Sequence, residues 1–136
     1  MKQITLMDAY LIETLRNYHV TDDEILKAVK NKQAEKFKKY HKDFDFTLLY
    51  ELQKDLKDIL IKGYQVKFLT LPGLKNLLRM KYDKEEGNDY ETKETSLENL
   101  SLTKKELKDI KKWLSPNWSV IEKEESYSIV PTAQLS

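Results

Sequence analysis

The sequence predicts an α+β fold that is mainly α, with about five helices and a small antiparallel sheet. Three observations carry this. Apolar residues recur at helical spacing over much of the chain, most strongly at Leu49, Leu52, Leu56 and Ile59/Leu60. Two short stretches alternate instead, with Tyr64, Val66 and Phe68 in one and Trp118, Val120, Tyr127 and Ile129 in the other. Thr21 with Glu24, and Thr103 with Glu106, have the spacing of capping boxes, in which each residue satisfies the other's backbone N–H at a helix start.

The elements follow in order. Met7, Leu11, Leu15 and Tyr18 predict a helix over about 5–18 with those residues inward. The Thr21 cap opens a helix expected to run from 22 to 41, with Leu26, Val29, Phe37 and Tyr40 inward and a lapse at Gln33. Asp45 is a candidate N-cap for a third helix, which Gly63 ends in the left-handed conformation that favours glycine. A strand is expected near 64–70. Thr70 and Pro72 then start a helix with Leu74, Leu77, Leu78 and Tyr82 on its core side. Residues 83–101 have no periodicity, one glycine and many acids, and predict an acidic loop. A helix over 104–114 stops at Ser115-Pro116-Asn117, because proline cannot donate and disfavours helical geometry before it. The hairpin 118–130 follows, with a charged tip at Lys123-Glu124-Glu125, and the strand at 64–70 is its expected third neighbour. These elements predict a single compact domain over 1–130, with a helical part over 1–45 and the mixed part over 46–130. Residues 131–136 are a tail.

From residue 46 the order is helix, strand, helix, helix, hairpin. This order resembles that of a winged helix-turn-helix module, with the hairpin as the wing and the 104–114 helix as the reader. The resemblance implies DNA binding and transcription regulation.

Composition excludes several chemistries. The chain has 136 residues, 40% hydrophobic and 35% charged, which describes a folded protein with solvated helix faces. It has no cysteine, so disulfides, thiolate metal sites and cysteine nucleophiles are excluded, and a reducing cytoplasm is the expected home. No apolar run approaches the length of a membrane span, so no membrane partner is expected. Two histidines and three glycines leave no histidine-rich zinc site and no phosphate-cradling loop. Asp83 with Glu91 and Lys93 has the spacing of some metal-dependent nucleases, but that chemistry needs the pair on a core strand and these lie in a polar stretch. His41, Asp43 and Asp45 are better explained as helix-end residues than as ligands. No enzyme activity, cofactor or metal is expected.

Charge placement supplies the functional expectation. Residues 27–42 hold seven lysines and one glutamate, and residues 83–98 hold seven acids and two lysines. Lys104, Lys105, Lys108, Lys111 and Lys112 lie off the core stripe of their helix, and Lys36, Lys38 and Lys39 lie on the basic 22–41 segment. Lysines on exposed helices neutralise phosphates and release counterions, which predicts DNA binding by a non-enzymatic regulator. The 104–114 helix has no Arg, Asn or Gln, the side chains that read base edges bidentately, so contact with the backbone is expected. The alternative is a protein-binding inhibitor or adaptor of bacterial or phage origin, docking through Phe37, Tyr40, Phe44 and Phe46 beside the basic run.

Overall fold

The computed structural model describes residues 1–135, about 50% helical and 19% strand, in an α+β arrangement. Its contacts cluster in two compact units, Met1–Tyr64 and Gln65–Ser136. A two-stranded parallel sheet pairs β1 (Lys2–Ile4) with β2 (Tyr64–Val66), the strand at which the chain passes from the first unit to the second.

The first unit is helical. Its α1 (Leu6–Asn17) starts from a third capping box, between Thr5 and Asp8, in which aspartate stands where glutamate is usual. The expected inward stripe is corrected: Leu11, Ile12 and Leu15 are buried with Ala9, whereas Met7 is 40% and Tyr18 56% exposed. The Thr21–Glu24 box opens α2 (Asp22–Lys30), but the helix expected to reach 41 stops at residue 30. Lys32 takes φ 56°, and the N–H groups of Gln33 and Lys32 donate to the carbonyls of Ala28 and Val29 at 2.7 and 3.2 Å. This is a Schellman ending built on lysine where glycine is usual. The chain resumes as a 3-10 helix, η1 (Ala34–Tyr40). The third helix is likewise divided into η2 (Phe46–Leu52), capped by Asp45 through the N–H of Thr47, and α3 (Leu56–Lys62). Leu49 and Leu52 are three apart, the spacing at which 3-10 side chains eclipse. The count of about five helices is therefore corrected: three 3-10 helices occur beside the five α-helices among the described residues.

One polar network is buried in this unit. Glu13 is 5% exposed; its carboxylate accepts from the Tyr64 hydroxyl at 2.6 Å and from the Arg16 guanidinium at 3.3 Å. Arg16 also donates to the Leu60 carbonyl at 2.9 Å and to Asp22 at 3.3 Å. A buried carboxylate is tolerable only when paired and hydrogen-bonded in this way.

The second unit holds the main sheet, and here the fold expectation is overturned. The strand at 64–70 does not join the C-terminal hairpin. Instead β3 (Glu91–Lys93), β4 (Ser96–Leu100), β5 (Trp118–Glu122) and β6 (Tyr127–Pro131) form one antiparallel sheet in the order β3-β4-β6-β5. Two of these strands come from the segment expected to be an acidic loop. Their turn, Glu94-Thr95, lacks the Asn-Gly signal of a tight hairpin, although Glu94 takes φ 55°. Leu97 and Leu100 are both fully buried yet three residues apart, which alternation cannot achieve. A register irregularity between them, with Asn99 at φ 57°, turns both inward. The winged-helix-like order fails with this finding, because a hairpin that belongs to the sheet separates the two helices that the motif joins by a short turn.

Helices α4 (Leu71–Tyr82) and α5 (Lys104–Trp113) complete the unit. The chain between β2 and α4 is pinned by the break after α5. The Ser115 hydroxyl accepts from the Leu69 N–H at 3.1 Å, while the Leu69 carbonyl accepts from the Asn117 amide at 2.9 Å and the Trp118 indole at 2.8 Å. These bonds occupy both backbone groups of Leu69, which lies within the segment expected to be strand. Thr132–Leu135, expected as part of a tail, forms a 3-10 turn, and Ser136 lies outside the described residues.

Candidate nucleic-acid interface

Helix α5 is the strongest candidate, and its geometry follows from its sequence. Thr103 and Glu106 close a reciprocal capping box, with the Thr103 N–H donating to the Glu106 carboxylate at 2.9 Å and the Glu106 N–H to the Thr103 hydroxyl at 3.1 Å. Ile110 and Trp113 are buried and anchor one face. Lys104, Lys105, Lys108, Lys111 and Lys112 are all exposed on the remaining surface.

The acids of α5 are already occupied by lysines at and just after the end of α4. Glu106 pairs with Lys84 at 3.5 Å. Asp109 accepts from the Tyr82 hydroxyl and lies 3.9 Å from the Lys81 ammonium. Tyr82 in turn accepts from the Trp113 indole at 2.9 Å, so this arrangement also locks the helix against α4. Lys81 and Lys84 have side chains only 10% and 16% exposed, so they are turned toward these acids rather than toward water. Lys111 lies 3.9 Å from Glu122 of β5. Lys104, Lys105, Lys108 and Lys112 have no ion pair among the described residues.

Lys104 and Lys105 occupy the first two helical positions, where the positive end of the helix dipole disfavours cations. Only Glu106 offsets them within the turn. For stability alone this placement is adverse; for holding an anion, the dipole and both ammonium groups act in the same direction.

In the first unit Lys36, Lys38 and Lys39 are exposed on η1. The four aromatic residues singled out near them divide in two. Phe37 and Phe46 are 3% and 2% exposed and belong to the core. Tyr40 and Phe44 are half-buried. Tyr18 was not among the candidate residues, because its spacing suggests an inward position; its ring stacks on Tyr40 with centroids 4.9 Å apart.

The remaining acid clusters have structural partners. His41 stacks on Phe44 at 3.7 Å and accepts from the Asp43 N–H at 3.3 Å. Hydrogen bonds from the Thr47 hydroxyl and N–H hold the Asp45 carboxyl below the usual aspartate range. Glu91 and Lys93 are exposed on the short edge strand β3. The Thr92 hydroxyl and Lys75 lower the pKa of Glu86, and burial raises that of Tyr90. Among the described residues no group of three or more His, Asp or Glu is arranged to hold a metal ion, and no helix is long and apolar enough to cross a membrane. No family model, curated protein or solved structure matches this chain.

Proposed function

We propose that this chain is a non-enzymatic regulatory protein of the cytoplasm that binds DNA through the phosphate backbone, with α5 as the contact helix. One observation carries the reading. Lys104, Lys105, Lys108 and Lys112 are exposed and, among the described residues, without ion pairs, while the acids of the same helix are consumed by lysines that face inward. A surface serving only solubility gains from interspersed opposite charges; this one separates them. The helix offers ammonium groups and no bidentate reader, so its contacts position the protein without specifying a sequence. Lys36, Lys38 and Lys39 supply a second exposed lysine group in the other unit. The protein-binding alternative is weaker, since Phe37 and Phe46 are spent in the core.

The test is direct. Binding of a labelled duplex at low salt is measured by fluorescence anisotropy for the native chain and for the triple variant Lys104→Glu, Lys108→Glu and Lys112→Glu, with far-UV circular dichroism confirming the fold. The native chain is expected to bind and the variant to lose binding. Native binding retained by a folded triple variant removes α5 from the interface, and no binding by the native chain removes the reading.

A further inference from the structure

The aromatic residues of the first unit form a chain of stacked and edge-on rings that ends in the open. Phe46 lies 6.1 Å from Phe37, Phe37 lies 6.3 Å from Tyr40, and Tyr40 stacks on Tyr18 at 4.9 Å with 30° between the rings. The inner rings are core. The outermost, Tyr18, stacks on Tyr40 and is still 56% exposed. Two ammonium groups flank the series, Lys39 lying 5.3 Å from the Tyr40 centroid and Lys36 lying 5.7 Å from that of Phe37. The residues from 27 to 42 carry seven lysines against one glutamate.

A flat face beside cations calls for a ligand that is both planar and anionic. An acidic peptide would satisfy the lysines and leave the ring face without a matching partner. An unstacked nucleotide satisfies both, because its base has a π-face and its phosphate a charge. A base within a duplex has no such face to offer. We propose that Tyr18, backed by Tyr40 in a ring series that carries Lys39 over Tyr40 and Lys36 over Phe37, is a stacking site for a base of single-stranded nucleic acid. This deepens the nucleic-acid reading above but uses a different unit and a different form of ligand.

The probe is a short labelled oligo(dT), with the full chain throughout. Tyr18→Ala removes a ring and no charge, and its high exposure spares the core. It is expected to weaken oligo(dT) binding about tenfold, within the range for loss of one stacked base, with the slope of log affinity against log salt unchanged. Tyr18→Phe is expected to restore binding. The pair Lys36→Ala and Lys39→Ala is expected instead to flatten that slope by about 1.4, from roughly 0.7 per single-strand contact. Oligo(dT) binding that ignores Tyr18→Ala overturns the proposal, as does an equal loss of binding to a poly-glutamate peptide. Duplex binding measured in parallel separates the two readings. Duplex binding without a Tyr18-dependent oligo(dT) response sinks only this proposal, and a Tyr18-dependent oligo(dT) response without duplex binding sinks only the duplex reading with its α5 contact.

Discussion

Lys111 and Lys108 are neighbours in composition but not in circumstance, and salt dependence should tell them apart. Among the described residues four lysines of α5 have no ion pair, whereas Lys111 is 3.9 Å from Glu122. Each phosphate neutralised on duplex DNA contributes about 0.9 to the slope of log affinity against log salt, so four contacts give a slope near −3.6. Between about 50 and 200 mM salt this is a loss of roughly 150-fold. Lys108→Ala is expected to reduce the slope to about −2.7, a loss of roughly 40-fold over the same interval. Lys111→Ala is expected to change it much less, because the charge it removes is already offset by Glu122. Conversely, Glu122→Gln exposes a fifth cation and should steepen the slope toward −4.5, about 500-fold over that interval. The assay is anisotropy of a labelled duplex across a salt series. Equal slope changes for Lys108→Ala and Lys111→Ala, or no response to Glu122→Gln, would refute the claim that ion pairing within the protein decides which lysines meet phosphate.

Two further outcomes follow from the structure. Tyr64→Phe removes the hydroxyl that donates to the buried Glu13 carboxylate at 2.6 Å, and is expected to cost about 1.5–3 kcal/mol, the worth of a hydrogen bond to a charged group. Urea unfolding followed by far-UV circular dichroism measures it, and a loss below about 0.5 kcal/mol would show that the Tyr64 hydroxyl is not needed to satisfy Glu13. Stability should also fall at both pH extremes. Asp45 and Glu86 have folded pKa values below their unfolded ones, so their contribution is present above the ordinary carboxylate range and is lost as pH drops through the depressed values. Tyr90 is shifted up by burial, so the unfolded state ionises first and stability declines as pH rises past the ordinary tyrosine range. Carboxyl NMR titration checks the acid side: Thr47→Val should return Asp45 toward the usual aspartate value, and an Asp45 that titrates normally in the native chain contradicts the assignment.

What the sequence made legible were features that rest on short-range chemistry. The α+β class, the capping box at Thr103 and Glu106, the stop at Ser115-Pro116-Asn117 and the exposed lysines of α5 all read directly from neighbouring residues. What it concealed depends on backbone geometry without the usual marker. The chain has three glycines, and His19, Lys32, Asp83, Glu94 and Asn99 take left-handed conformations in their stead. Lys32 ends α2 early and Glu94 closes a hairpin, both without a composition signal. Asn99 lets Leu97 and Leu100 share a face, so β4 shows no alternation. The wrong partner for β2 has a different cause: side chains of Ser115, Asn117 and Trp118, more than forty residues away in sequence, occupy the backbone groups of Leu69. Tyr18 was misplaced because helical spacing alone does not distinguish a core aromatic from one stacked at the boundary with water.

Both tryptophans of the chain, Trp113 and Trp118, lie in the unit that begins at Gln65, and both are buried with their indole N–H groups bonded. The first unit holds tyrosine and phenylalanine only. Emission excited at the red edge of the aromatic band therefore reports one half of the molecule and is blind to the other, whereas the far-ultraviolet dichroism sums both. Superimposable denaturation curves from the two signals would mean that the halves melt together; curves that separate would assign a distinct midpoint to each without any label.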